Sequence, residues 1–399
     1  MVLKLNFKLL SYVVGILLLM VTIVQLNYLY KKNYSTPRSD KFDGGEDLYS
    51  NIKKYSEKNQ TIFISVASYR DAFCSDTLSY IFENADHPEN IYVGLVDQGS
   101  EVLSSIPDNK DTEDFKFPNS YCYRELRVDP AIIQSNVRRI ALTIEESKGP
   151  TYARYLATTL YRNESYFMQI DSHTRFMDGW DTALINDYWL TRSQSNVGAN
   201  GMPRAVLTYY PRAFNASLPG LPDDDQSQVP RICQGVFNEK GIMTLRSFIL
   251  KASVIPKECP FIAAGFFFTS GEALELVPFD PHLPNLFEGE EILYTARMYE
   301  KGFRFFGPTL NAVFHFYTRS GSPKFWEDNK EYYKSMMQSL EKVKYILGWN
   351  DGITPDMTNE IYLEFDKYTI HNRTALDEYY TRYGISYQNR THDYDKWCK

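Results

Sequence analysis

The segment Tyr166-Phe-Met-Gln-Ile-Asp-Ser-His173 constrains this chain more than any other. The short apolar run from Tyr166 to Ile170 reads as a buried strand, and it ends abruptly in Asp171-Ser172-His173. A carboxylate and an imidazole two residues apart, at the end of a core strand, can reach one metal ion. Open α/β sheets bind their ligands beyond the carboxyl ends of the strands, which is where such a cation would sit. In the alternative reading Asp171 caps the next helix and His173 packs nearby, because a three-residue motif recurs by chance.

The surrounding pattern alternates between strands and helices. Thr61–Ala67 is rich in β-branched residues and predicts a strand; Phe73–Asn84 has helical periodicity, and Asn90–Val96 and Val137–Thr143 predict two more strands. Gly149-Pro150 opens a helix, since proline suits a first helical turn. Tyr152, Tyr155, Leu156 and Thr159 follow the spacing of one buried helical face, with Arg154 off that face. Asp181–Leu190 predicts a further helix and Ala205–Tyr209 a further strand. This order implies an α/β fold, a three-layer sandwich around a mostly parallel central sheet.

In the second half, Phe261–Thr269 reads as a buried strand broken by Gly265, and Gly271–Leu276 as a short helix. Leu286–Glu291 leads into a helix through Tyr299, ended by Gly302. Phe303–Phe306 and Ala312–Phe316 are short apolar strands, and Pro323–Leu347 is one amphipathic helical stretch. The polar, tyrosine-rich remainder is expected to wrap the domain. Gln98–Asn136, with Pro107, Pro118 and Pro130, reads as a long insertion or flap. Ser217–Pro230 reads as an exposed loop in which Asp223-Asp-Asp225 form a solvated turn.

The net charge of −7 argues against a nucleic-acid binder, which would present a basic face. Leu9–Leu26 carries no charge and approaches the length a membrane-spanning helix needs. A cleaved signal peptide is the alternative, but the run is long and no small-residue cleavage site follows. Lys4 and Lys8 before it and Lys31 and Lys32 after it orient it only weakly. Asn-x-Ser/Thr sequons at Asn33, Asn59, Asn163, Asn215, Asn372 and Asn389 add the direction: a lumenal body. The expectation is a type II membrane protein with a tail at 1–8, a signal anchor at 9–30, a stem at 31–59, a main domain at 60–320 and a C-terminal extension at 321–399. Of Cys74, Cys122, Cys233, Cys259 and Cys398, none forms a C-x-x-C pair, which argues against structural zinc. An oxidising lumen implies one or two disulfides and a leftover thiol, with Cys398 a candidate to tie down the tail.

Five separated motifs then occur in a fixed order: Ile64-Ser-Val-Ala-Ser-Tyr-Arg-Asp71, Gly149-Pro-Thr-Tyr-Ala-Arg154, Gln169-Ile-Asp-Ser-His-Thr-Arg-Phe176, Gly179-Trp180-Asp181 and Phe287-Glu-Gly-Glu-Glu291. Together, from Thr61 to Arg319, they resemble glycosyltransferase family 60, the polypeptide α-N-acetylglucosaminyltransferases, with a weaker echo in Leu376–Thr391. The resemblance implies a GT-A fold and retaining transfer of N-acetylglucosamine from UDP-GlcNAc to a protein hydroxyl. That hydroxyl would be on threonine or serine, or on hydroxyproline. The anchor favours the Golgi-bound branch of the family over the cytosolic one.

The resemblance also implies roles. Asp171 and His173 would ligate a divalent cation, with Mn²⁺ the best match to mixed carboxylate, imidazole and phosphate ligands. His315, a lone polar residue in Ala312–Phe316, would close the site, by similarity to the related N-acetylgalactosaminyltransferases. A hydrogen-bonded core histidine is the alternative there. Ser68, Tyr69 and Arg70 leave the first strand at its carboxyl end, Tyr69 to stack on uracil or ribose and Arg70 to meet a phosphate or else pair with a neighbouring acid. Gly149 would let backbone approach the donor, Arg154 would point into the donor pocket or form a surface ion pair, and Gly265 would let the sugar approach the backbone. Arg319 would reach the diphosphate. Glu288, Glu290 and Glu291 stand at a helix start, where carboxylates are favoured anyway; Glu290 or Glu291 is expected to bind hydroxyls of the sugar or acceptor, beside Asp171. No enzyme nucleophile is assigned, because the leaving phosphate can take the proton. Trp180 belongs either to the acceptor pocket or to the core. The competing functions are a transferase using another UDP-sugar such as UDP-GalNAc, and a non-catalytic lumenal lectin or receptor on the same scaffold.

Overall fold

Ile62–Tyr69 (β1) begins as five consecutive buried residues, the pattern of a strand covered on both faces. The computed structural model that shows this describes residues 60–99 and 120–399, apart from 216, 218–219, 222–225, 319–320 and 353. The expected tail, anchor and stem, the sequons at Asn33 and Asn59, most of the 98–136 insertion, Asp223–Asp225 and Arg319 lie outside the described residues. Among the described residues no helix is long and apolar enough to cross a membrane.

After β1 come helix α1 (Cys74–Glu83), β2 (Ile91–Gln98), β3 (Val137–Leu142), helix α2 (Gly149–Thr158) and β4 (Tyr166–Asp171). They are followed by β5 (Thr174–Phe176), helix α3 (Trp180–Leu190), β6 (Ala205–Thr208) and β7 (Arg212–Ala213). Then come the hairpin strands β8 (Gln228–Phe237) and β9 (Met243–Lys251), β10 (Lys257–Glu258) and β11 (Phe266–Ser270). Helix α4 (Glu290–Glu300), β12 (Arg304–Gly307), β13 (Val313–His315) and helices α5 (Tyr332–Leu347) and α6 (Arg373–Tyr383) complete the main elements.

The central sheet has the order β10-β12-β6-β11-β4-β1-β2-β3. Its β4-β1-β2-β3 half is wholly parallel, β12 runs parallel to β6, and β11 runs against both neighbours. This is the mostly parallel α/β sheet the strand–helix alternation implies. Helices cover both faces. On one, Ala153 and Ala157 of α2 lie over Val96; a Cβ on Gly94 would come within 2.3 Å of the Phe63 ring and 3.0 Å of the Ala157 carbonyl. On the other, the Trp189 indole of α3 donates to the Tyr166 hydroxyl at 2.8 Å.

Several sequence expectations are corrected. The buried face of α2 is Thr151, Ala153, Arg154 and Ala157, whereas Tyr152, Tyr155 and Leu156 are half-buried and Thr159 is exposed. Small alanines are what allow the helix axis so close to the sheet, and Arg154 is turned inward because two carboxylates await it there. The strand expected from Phe261 starts only at Phe266; Ala264 is held by side chains instead of by strand ladders. Pro323–Leu347 is two helices, Phe325–Asp328 and α5, not one. Gln228–Pro230 belongs to β8, whose bulged hairpin with β9 has no counterpart in the sequence reading.

Helices α5 and α6 place Leu340, Val343, Ile346, Leu376 and Tyr379 in the same core as Leu293 and Tyr299 of α4. Lys342 and Asp280 form a fully buried ion pair at 2.7 Å. Disulfides join Cys74 to Cys122 and Cys233 to Cys398, so the tail is tied down as expected for Cys398; Cys259 is a buried free thiol. Two disulfides mark a domain of the secretory pathway. The sequon asparagines Asn163, Asn215, Asn372 and Asn389 are exposed.

The Cys74–Cys122 bond closes a separation of 48 residues and secures the start of α1. Replacing both by alanine is expected to lower the unfolding free energy by roughly 2–4 kcal/mol, chiefly by freeing the unfolded chain. Denaturant titration of the double variant beside the parent checks this.

Candidate active site

Strands β1 and β4 lie side by side, with Ala67 opposite Asp171, so the turns after both strands open on the same edge of the sheet. Asp171 is the last residue of β4. The chain turns at once into β5, leaving His173 5% exposed. His315 arrives from a distance of 144 residues through a separate small sheet, β5-β13-β7, in which it pairs with Thr174. Its Nε2 lies 3.1 Å from Asp171 Oδ2, and the His173 and His315 rings stand edge to face at 4.5 Å. Ligating atoms of Asp171, His173 and His315 all fall within 4.8 Å of one another. One carboxylate and two imidazoles converging on a half-open point fit a divalent transition-series cation, with positions left for ligand oxygens.

Arg154 joins this cluster to the helix α4. Its guanidinium donates to Asp171 Oδ1 at 2.9 Å and to Glu290 Oε2, and Thr151 Oγ1 also donates to Glu290 at 3.3 Å. Burial pushes the Asp171 carboxyl up, but the His315 hydrogen bond and the Arg154 charge outweigh it and hold Asp171 well below the usual carboxylate range. Burial raises Glu290 despite the neighbouring Arg154. It pushes Glu291 up to about 7, against hydrogen bonds from the Tyr210 hydroxyl and the Ala264 N–H.

Glu291 has a positioning task. It accepts from Tyr210 at 2.6 Å and from the Ala264 amide at 2.8 Å, while Gln169 Nε2 donates to the Ala264 carbonyl at 2.6 Å. The Ala264 peptide is thus clamped on both sides. The clamp sets Gly265 against the cluster: a Cβ there would sit 3.1 Å from Asp171 Oδ2. Gly265 thus leaves open the space beside Asp171 that a side chain would crowd.

The other nominated residues are placed unevenly. Tyr69 and Arg70 do meet at the strand end, but both are held by Asp328, at 2.6 and 2.9 Å. Arg70 adopts a φ of 48°, a left-handed backbone uncommon for a non-glycine residue. The Ser68 hydroxyl is fully buried with no hydrogen-bond partner. Gly149 has a φ of 84°, and the space its Cβ would fill is taken by Phe325 and Asn285 of the same chain, so its close approach is internal. Glu288 is half-buried and turned to Lys240 and Asn238, at 2.9 and 3.2 Å. Trp180 is a core residue, fully buried and donating to the Ile81 carbonyl at 3.1 Å. Sequence reasoning missed Tyr210 and Asp328, which belong to none of the five motifs, and the roles of Gln169 and Asp71, which lie in motifs but act on partners far along the chain.

The sequence matches the signature of the glycosyltransferase (GlcNAc) family over residues 61–389. No curated protein sequence matches it. Among solved structures, a crystal structure of GalNAc-T7 with UDP, GalNAc and Mn²⁺ is similar in fold, with a TM-score of 0.51 at 14% identity. That likeness covers 81% of this chain and 57% of the other, so the chain spans little more than half of that protein's length. Staphylococcus aureus TarS with UDP-GlcNAc is more remote: TM-score 0.37, 13% identity, 76% of this chain and 71% of that one. So is a mannosyltransferase of Pyrobaculum calidifontis with GDP-Man and Mn²⁺: TM-score 0.34, 11% identity, 84% and 93%. The first of these likenesses supports a GT-A-like fold.

Arg154→Met would leave Glu290 buried without its cation. The expected loss is about 3–5 kcal/mol of stability, with little rescue by Arg154→Lys, since one ammonium cannot span both acids as the guanidinium fork does; chemical denaturation measures it. Glu291 titrates near 7 folded against an ordinary 4.5. Because the folded state holds this proton more tightly, stability is fully present below the lower value and declines as pH rises through the higher. Glu291→Gln keeps an acceptor for Ala264, and unfolding curves of that variant across the same window are expected to lose the decline.

Proposed function

The chain belongs to the glycosyltransferase (GlcNAc) family, and from that membership we propose that it transfers N-acetylglucosamine from UDP-GlcNAc to a hydroxyl of a protein acceptor, with retention at the anomeric carbon. The acceptor is threonine or serine, with hydroxyproline the third candidate. The reading extends to the Golgi-type branch of glycosyltransferase family 60. It makes the chain a type II Golgi membrane protein: anchor at 9–30, stem at 31–59, GT-A domain at 60–320 and C-terminal extension at 321–399.

The observation that carries the proposal is the convergence of Asp171, His173 and His315 at the strand ends, beside the buried Arg154–Glu290 pair. These three residues would hold a divalent cation, Mn²⁺ by preference. When bound, it would supply Lewis-acid neutralisation of charge on the departing UDP. Arg154 keeps Asp171 ionised and aimed. Ser68, Tyr69 and Arg70 are assigned to the nucleotide at the sheet edge, with Arg70 exchanging Asp328 for a phosphate; Arg319 is assigned to the diphosphate only from its place soon after His315 in the chain. Gly149 shapes the turn below them, and Gly265 leaves room for the sugar beside Asp171. Glu290 or Glu291 is assigned to hydroxyls of the sugar or the acceptor, Glu290 being the better placed because both Glu291 oxygens hold Tyr210 and Ala264. The acceptor oxygen bonds to the anomeric carbon as its bond to the diphosphate breaks, and the acceptor proton passes to the leaving phosphate.

The test is transfer by the full chain in detergent, with Mn²⁺, a threonine-rich peptide and a panel of UDP-sugars. Peptide labelling from UDP-GlcNAc is expected, removed by EDTA. Asp171→Asn should reduce it by at least about 100-fold, the loss that even a misplaced catalytic group brings. Labelling from UDP-GalNAc instead would overturn the donor, and UDP-sugar hydrolysis without labelling would overturn the acceptor.

A further inference from the structure

Asp71 has no place in the ligand set, yet it is 2% exposed and faces the back of one ligand. It ends the Ser68-Tyr-Arg-Asp71 turn at the carboxyl end of β1. Its Oδ2 lies 2.6 Å from His173 Nδ1 and accepts from Ser172 Oγ at 2.8 Å. Its Oδ1 accepts from the Phe73 backbone N–H at 3.0 Å. A carboxylate only accepts, so the proton of a neutral His173 must sit on Nδ1. The lone pair is then on Nε2, the nitrogen a cation needs.

We infer that Asp71 is the positioning residue of the cation site: it fixes the tautomer and ring plane of His173 so that Nε2 is presented to the point shared with Asp171 and His315. Histidine ligands commonly donate their second N–H to a carboxylate, which fixes the ring and strengthens the ligand. Here the carboxylate is itself locked. The Phe73 amide holds one oxygen, Ser172 holds the other, and Cys74 N–H donates to the Asp71 carbonyl at 3.2 Å, three residues along in a helix start pinned by the Cys74–Cys122 disulfide. The inference rests on the cation reading of the proposed function and deepens it.

The geometry makes Asp71→Asn informative. Asparagine offers one acceptor oxygen for two donors on opposite sides, Phe73 N–H and His173 Nδ1–H. Facing its oxygen to Phe73 turns its NH₂ toward His173 and favours the wrong tautomer. Manganese titration of the full chain, followed by electron paramagnetic resonance, is expected to show binding weakened about 10- to 100-fold in Asp71→Asn, the usual effect of losing such a partner. Ser172→Ala, which removes a hydrogen bond to the same oxygen but spares His173, should bind near the parental affinity even if it melts lower. Nitrogen-15 spectra of the metal-free parent should show His173 protonated at Nδ1, assigned by its loss in His173→Gln, and this measurement decides the matter if Asp71→Asn does not fold. Parental affinity in Asp71→Asn, or an Nε2 proton in the parent, would overturn the inference while leaving the cation site standing. A parent that binds no Mn²⁺ would instead overturn the cation reading, and this inference with it.

Discussion

The candidate site depends on one buried cation, Arg154. Asp171 would otherwise face Glu290 across a poorly hydrated gap, and two carboxylates so placed resist ionising together. The guanidinium suits the gap because its fork can serve an acid on each side while remaining charged. Through that fork, the end of β4 is coupled to the start of α4, two elements far apart in the chain. The sheet supplies Asp171, the helix supplies Glu290, and α2, which carries Arg154 and Thr151, sits between them. Alanines at 153 and 157 are part of the same solution, since they let α2 approach the sheet closely enough for the arginine to reach.

The antiparallel strand β11 gives the site its other wall. Had β11 run parallel to β4, it would have started at the opposite edge of the sheet, and the residues before it would lie far from Asp171. Running β11 against β4 puts Phe266 opposite Ile170, so the residues just before β11 arrive at the same sheet edge as Asp171. They arrive without strand ladders, which leaves the Ala264 peptide in need of partners. Glu291 and Gln169 provide them, and Gly265 is delivered to the cluster as a consequence. Glu291 thus stands near the chemistry while both its oxygens hold the protein's own groups.

Much of this was legible because strand ends and helix starts carry local signals. The apolar run into Asp171 marks its strand and its edge, and Gly149-Pro150 and Gly289-Glu290 mark helix starts. His315 was visible as a polar residue in an apolar run. What stayed hidden were relations that no local pattern encodes. Periodicity put Tyr152 and Leu156 on the buried face of α2, since hydrophobicity counts apolar area and cannot count a buried ion pair; the true inner face holds two alanines, a threonine and an arginine. The β8–β9 hairpin escaped because much of its β9 surface is exposed and its strands lack clean alternation. Asp328, which holds Tyr69 and Arg70, lies 258 residues from Arg70, inside what the sequence offers as one helical stretch from Pro323 to Leu347.

The small sheet β5-β13-β7 settles how a distant histidine can join a local motif. Asp171 and His173 come from one turn and need only that turn to be rigid. His315 must be brought to them, and a loop alone would bring it loosely. Pairing β13 with β5 fixes its register: His315 lies opposite Thr174, and the amide of Phe316 donates to the His173 carbonyl at 3.0 Å. Backbone hydrogen bonds therefore set the spacing of the two imidazoles before any side-chain interaction acts. The side chains need only set ring orientation, which for His173 is the role of the Asp71 carboxylate and for His315 is shared with Asp171 and the Tyr317 ring at 4.3 Å. A site built this way has its spacing set by the backbone, and such preorganisation is what lets a few fixed charges stabilise charge that develops in a reaction.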